Sequence, residues 1–187
     1  MNNGLSIVGA RTNSGMREIN DFYPTPGFAV EELLKREEFY GSVFEPACGR
    51  GDITEVLKLN GLTVYSADLI NRGYGDTGKD FLKYGGANFG NIITNPPFKF
   101  GLEFILKAKQ VANHKIAMFL KTVFLESQAR YDMFNDKVFP LKTLYQFSKR
   151  ISLYKNGIKM KNGGMASYAW YVWDKSYSGK PTIEWIQ

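Results

Sequence analysis

At 187 residues, 44% of them hydrophobic and 22% charged, the chain has ordinary globular composition, which excludes wholesale disorder and fibrous repeats. A net charge of +6 favours a polyanionic partner, because fixed positive charge steers phosphates and releases their counterions; a basic soluble protein without such a partner is the alternative. The single cysteine, Cys48, excludes an internal disulfide, and with no secretory signal near the start and no apolar run of bilayer length the expectation is a cytoplasmic protein.

Residues 1–20 are rich in Asn, Gly and Ser and are expected to form a flexible lead-in to a single folded domain over 21–187. Residues 21–26 are predicted to be extended, since those preceding Pro24 and Pro26 are pushed out of the helical region. A helix is predicted over 28–39, with Val30, Leu33 and Leu34 at helical spacing, Thr25 as its cap and Pro26 at its first position. A short strand over 42–44, a helix over 52–59 and a second strand over 62–67 follow, then a glycine-rich loop at 70–78 and a short element at 80–83. Next come a strand over 91–94 and a helix with Gly101, Phe104, Ile105, Ala108, Val111 and Ala112 on one face. The remaining predictions are a strand over 115–120, a helix over 127–135, a strand over 143–147, a linker over 149–165 and an aromatic strand over 166–172 that pairs late. Strands alternating with helices predict an α/β fold: a mostly parallel central sheet, helices on both faces and an antiparallel late strand.

The stretch Val43-Phe44-Glu45-Pro46-Ala47-Cys48-Gly49-Arg50-Gly51-Asp52-Ile53 reads as a strand that ends in a glycine turn and opens a helix, so that a ligand can approach the backbone closely. A dinucleotide site would want a third glycine where Thr54 stands, and would set a pyrophosphate on the helix N-terminus. Glu45 and Asp52 would repel a pyrophosphate and suit a ligand with positive charge, such as the ammonium and sulfonium of S-adenosylmethionine (SAM). Asp68, ending the next strand, can accept hydrogen bonds from both hydroxyls of a ribose, and Asp80 with Phe81 can meet an adenine ring by its amino group and its face.

Asn95-Pro96-Pro97-Phe98 directly follows the strand over 91–94. An exocyclic amine on a base is a poor nucleophile, because its lone pair is delocalised into the ring. Two rigid acceptors, the Asn95 side-chain oxygen and the Pro96 carbonyl, can take both amine hydrogens and hold the lone pair towards an incoming methyl group. The prolines stiffen the arrangement, and Phe98 can stack on a base swung out of its duplex.

On these segments the chain resembles the class I SAM-dependent methyltransferases of Rossmann-like fold, and most closely the small DNA adenine methyltransferases of bacteriophages and prophages. The resemblance covers residues 21–174, with 44–52 and 95–98 as its specific parts. It implies that Tyr23, Thr25 and Pro26 close over the methionine end of the cofactor, and that Glu45, Ala47, Gly49 and Gly51 form the cofactor loop. It further implies that Asp68 binds the ribose, that Asp80 and Phe81 contact the adenine, and that Asn95, Pro96, Pro97 and Phe98 are the catalytic motif. The cofactor implied is SAM, the substrate the 6-amino group of adenine in DNA, and the transfer direct and in line.

Two departures matter. Phe98 stands where many DNA adenine enzymes carry tyrosine, and phenylalanine there also occurs in RNA guanine methyltransferases. A separate target-recognition domain is not expected, since no insertion between the cofactor segments and the catalytic motif is large enough to hold one. An RNA base and a protein glutamine side chain are therefore alternative substrates, and a non-catalytic regulator or anti-restriction factor is an alternative of another class.

Cys48 lies inside the cofactor turn and reads as a small buried residue, and His114 has no companions at metal-ligand spacing, so no metal site is expected. Tyr168, Trp170, Tyr171 and Trp173 read as a packed strand. Lys149, Arg150, Lys155, Lys159 and Lys161, with no acid among them, read either as a phosphate-contacting loop or as a solvated hairpin.

Overall fold

The computed structural model describes residues 22–153 and 166–187, so the lead-in 1–20 and residues 154–165 of the expected linker lie outside the described residues. In chain order the elements are α1 (Gly27–Leu34), β1 (Val43–Glu45), α2 (Asp52–Leu59), β2 (Val64–Asp68), β3 (Asp76–Thr77) and β4 (Phe89–Thr94). After them come α3 (Gly101–Val111), β5 (Ala112–Lys121), α4 (Tyr131–Phe134), β6 (Leu141–Phe147), β7 (Tyr168–Asp174) and β8 (Thr182–Ile186).

The strands form one sheet in the order β3-β2-β1-β4-β5-β7-β6-β8. All neighbours run parallel except β7, which lies antiparallel between β5 and β6. Both faces of the sheet are covered. On one, Ala29, Val30 and Leu33 of α1 and Ile53 and Leu57 of α2 pack on Val43, Ile93, Ala117, Phe119, Trp170 and Val172. On the other, Phe104, Ile105 and Ala108 of α3 pack on Phe44, Ile92, Ile116, Met118, Tyr171 and Trp173. This two-sided burial is why β7 is apolar from Tyr168 to Trp173: successive side chains alternate between two cores, and every residue of the strand is buried.

Order along the sheet reverses between β1 and β4, with Phe44 opposite Ile92. The loops after these two strands therefore leave the same edge side by side, at the crevice where open α/β sheets bind ligands. Among the described residues no helix is long and apolar enough to cross a membrane.

Several sequence expectations need correction. Helix α1 ends at Leu34 instead of 39, because the chain turns inward to bury Glu37 and Phe39. Thr25 makes no capping bond, and Pro26 is the N-cap, not the first helical residue. The loop over 70–78 holds the two-residue strand β3, paired with β2. Ala112, expected on the helix face, opens β5 in extended conformation. The helix expected over 127–135 is a 3-10 turn at Gln128–Arg130 followed by one helical turn, since Met133 is the one buried residue of those two elements and no continuous apolar face exists to hold a longer helix. Strand β8 has no counterpart among the sequence expectations: it lies at the sheet edge behind Pro181 and buries only Ile186, so it has no apolar run to announce it.

Candidate active site

The turn after β1 depends on two glycines in left-handed conformation, Gly49 at φ +58° and Gly51 at φ +88°. A Cβ on Gly49 would lie 2.2 Å from the Phe22 ring, and one on Gly51 would lie 2.6 Å from the Tyr74 ring. The turn is pinned by backbone bonds from Cys48 N–H to the Ala67 carbonyl (3.0 Å) and from Gly51 N–H to the Cys48 carbonyl (2.7 Å). Ala47 is half-buried beside it and Cys48 is buried.

The carboxylates around the turn differ in kind. Glu45 is 1% exposed and accepts a hydrogen bond from the Thr54 hydroxyl, which lies 2.7 Å from that of Ser66. Burial pushes its pKa well above the ordinary carboxylate range, against the lowering effect of Thr54, so Glu45 faces the protein interior and resists carrying charge. Asp52, at the first turn of α2, has a buried Oδ2 with no hydrogen-bond partner among the described residues, and burial raises its pKa too. Asp68 is buried at the end of β2, with Oδ2 accepting from Gly49 N–H (2.8 Å) and Oδ1 from Ile70 N–H (2.7 Å). Each oxygen retains a further lone pair.

Asp80 accepts from Leu82 N–H at 3.0 Å and caps a 3-10 turn, with Lys83 at 3.6 Å. Phe81 is 3% exposed, its ring packed against Phe44 and Phe104 in the core, so its faces are largely occupied by protein.

The extended segment before α1 crosses this edge of the sheet as a strap. At one end the Phe22 ring covers Gly49, with the Arg72 and Arg50 guanidinium carbons 4.7 Å and 5.6 Å from its centre. Further along, the Asn95 amide nitrogen donates to the Tyr23 carbonyl (2.9 Å) and to the Thr25 hydroxyl (3.0 Å). A carbonyl only accepts, so the nitrogen must face the strap, and the Asn95 Oδ1 is the atom left facing away from it. Pro96 is buried and Pro97 exposed. Phe98 is half-buried between Tyr23 and Tyr168, each ring centre 5.8 Å away, and the Lys121 ammonium lies 4.8 Å from its centre.

The structure thus brings Tyr23, Thr25, Gly49, Gly51, Asp68 and Asn95 to one edge of the sheet, bridged by the strap. Phe22, Arg50, Arg72, Lys121 and Tyr168 join them, and only tertiary contacts place them there. Lys149 and Arg150 are exposed just past β6, whereas Lys155, Lys159 and Lys161 lie outside the described residues. Among the described residues no group of His, Cys, Asp and Glu could hold a metal ion.

No protein-family model and no curated protein matches the chain. Solved structures do. A proposed RNA methyltransferase from Pyrococcus horikoshii superposes with a TM-score of 0.62 at 17% identity, over 82% of this chain and 86% of that one. The modification subunit of a proposed type I restriction enzyme from Vibrio vulnificus YJ016 gives 0.59 at 16% identity, over 95% of this chain and 48% of that one, so this chain spans about half its length. Magnesium protoporphyrin IX methyltransferase from Synechocystis PCC 6803, solved with bound SAM, gives 0.55 at 14% identity, over 79% and 76%. The chain has the Rossmann-like fold of methyltransferases, mostly parallel with one late antiparallel strand.

Proposed function

We propose that this chain is a SAM-dependent methyltransferase that acts on the exocyclic 6-amino group of adenine in DNA. The observation that carries the reading is the Asn95 amide, whose nitrogen is spent on Tyr23 and Thr25 and whose oxygen is left as an acceptor at the sheet edge beside the glycine turn.

The residues present fit the cofactor. Gly49 and Gly51 give the turn its left-handed backbone with the Phe22 and Tyr74 rings packed on them, Asp68 has lone pairs to spare for ribose hydroxyls, and the unpartnered Asp52 Oδ2 suits a cationic ligand. Glu45 supports the site differently from its sequence reading, by holding α2 to β1 through Thr54. Bound SAM would supply a methyl group made electrophilic by its sulfonium.

In this reading the Asn95 oxygen and the Pro96 carbonyl accept the two amine hydrogens and aim the lone pair at the methyl group. Their acceptance strengthens as positive charge develops on nitrogen, which is where rate comes from. Phe98 offers a ring to a base swung out of its duplex once the Lys121 ammonium gives way. Lys149 and Arg150, with Lys155, Lys159 and Lys161, supply phosphate contacts.

An RNA base is the second reading, favoured by Phe98 in the fourth motif position and by the likeness to the Pyrococcus horikoshii protein. Incubation with methyl-labelled SAM and unmethylated DNA or RNA, followed by digestion and mass identification of the labelled nucleoside, separates the two. N6-methyldeoxyadenosine is expected; label only in ribonucleosides would move the substrate to RNA, and none in either would end the proposal.

A further inference from the structure

We infer that Thr25 is a positioning residue for Asn95: its hydroxyl, with the Tyr23 carbonyl, holds the Asn95 amide so that an acceptor and not a donor faces the target amine. The inference rests on the methyltransferase reading, and it gives Thr25 a role towards the catalytic motif instead of the cofactor.

An asparagine amide rotated by half a turn about its last bond has nearly the same shape and the opposite hydrogen-bonding character. In the rotated state an NH2 group would meet the NH2 of the base, and no amine hydrogen would be accepted there. Asn95 is therefore useful only if something outside it selects one orientation. Both hydrogens of its nitrogen are engaged, at 2.9 Å by the Tyr23 carbonyl and at 3.0 Å by the Thr25 hydroxyl. Rotation would turn the Asn95 oxygen onto the Tyr23 carbonyl, acceptor against acceptor.

Thr25 is suited to the task by its surroundings. It is 4% exposed, so water competes little for its hydroxyl, and although it directly precedes the N-cap of α1 it makes no capping bond. It lies between Pro24 and Pro26, and a residue before proline is kept extended, so the backbone that carries the hydroxyl is stiff. The same strap packs Phe22 on Gly49, which ties the orientation of Asn95 to the cofactor turn.

The test compares Thr25→Val, which keeps the shape and loses the acceptor, with Thr25→Ser, which keeps the hydroxyl. We expect Thr25→Val to lower kcat about fivefold to tenfold, the scale of one lost hydrogen bond, with the KM for DNA and the calorimetric Kd for SAM unchanged, and Thr25→Ser to recover most of the rate. An independent readout needs no turnover: with 15N-labelled asparagine, both Asn95 side-chain amide protons in the parent protein should exchange more slowly than those of the exposed Asn71. Thr25→Val should speed the exchange of one of them. An unchanged kcat in Thr25→Val, with an active parent, would overturn the inference and leave the methyltransferase reading standing. Loss of SAM affinity in parallel with kcat would overturn it too, by making Thr25 a cofactor contact, as would unprotected Asn95 amide protons in the parent. A parent that binds SAM and methylates neither DNA nor RNA would overturn the reading itself.

Discussion

Gly49 donates its backbone N–H to the Asp68 carboxylate at 2.8 Å, which ties the end of β2 to the glycine turn after β1. The carboxylate proposed to bind ribose thus also holds the turn on which the cofactor would lie. Asp68→Ala would leave the Gly49 and Ile70 N–H groups without their acceptor. SAM affinity is expected to fall by about 1–3 kcal/mol, as titration calorimetry would measure. Equal affinity in mutant and parent would remove Asp68 from the site.

Gly49 meets two constraints that can be separated by mutation. Gly49→Ala should lose about 1–2 kcal/mol from left-handed backbone strain and more from displacing the Phe22 ring, 2.2 Å from the new Cβ. Adding Phe22→Ala should recover the clash and not the strain, so the double mutant in urea unfolding should be more stable than the sum of the single changes predicts. Strict additivity would mean that Phe22 does not lie on the turn.

Burial holds the Glu45 pKa well above the ordinary range, so the folded state prefers the neutral acid. A group with a raised folded-state pKa contributes stability that is fully present below its unfolded pKa and lost as pH rises towards the folded one. Glu45→Gln keeps an acceptor for Thr54 without the ionisation. Its Tm relative to the parent should therefore rise from pH 4.5 to pH 8, and a gap that stays constant would show that Glu45 is ionised at no cost.

The buried Glu37 behaves in the opposite way. Desolvation alone would raise its pKa, but hydrogen bonds from Lys115 (2.6 Å), Lys142 (2.8 Å) and Tyr145 (2.8 Å) outweigh it and hold the pKa below the ordinary range. Its contribution is present above the unfolded pKa and lost as pH falls through the folded one. Glu37→Gln should cost about 3 kcal/mol near neutral pH, since Lys142 loses its direct ion pair and Lys115 keeps only Asp174, at 3.6 Å. The difference from the parent should shrink in acid, and equilibrium denaturation at pH 7 and pH 4 would read both effects.

The basic stretch from Lys149 to Lys161 has its own electrostatic signature. Replacing Lys155, Lys159 and Lys161 together should flatten the salt dependence of DNA binding by about 0.9 for each phosphate that is no longer neutralised, and leave SAM affinity unchanged. Affinity should drop nearly equally on all sequences, because groups that touch phosphates do not read bases. An unaltered slope would reduce the stretch to a solvated hairpin.

What could be read from the residues alone were features with local causes. Gly49 and Gly51 announced a glycine turn between strand and helix, the prolines announced an extended segment, and the apolar runs of β5 and β7 announced strands in a sheet covered on both faces. Asn95-Pro96-Pro97-Phe98 stood out because its chemistry follows from its own atoms.

Tertiary structure decided whatever depends on partners distant in sequence. Which atom Asn95 presents is set by Tyr23 and Thr25, 72 and 70 positions away, since an amide is nearly symmetric in shape and only its neighbours distinguish oxygen from nitrogen. The burial that neutralises Glu45 and the lysines that draw Glu37 inward likewise come from other elements. Strand β8, with little apolar surface to bury, is held chiefly by pairing to β6. Backbone conformation and periodicity are written in adjacent residues, whereas hydrogen-bond orientation and desolvation exist only once the chain has brought its distant segments together.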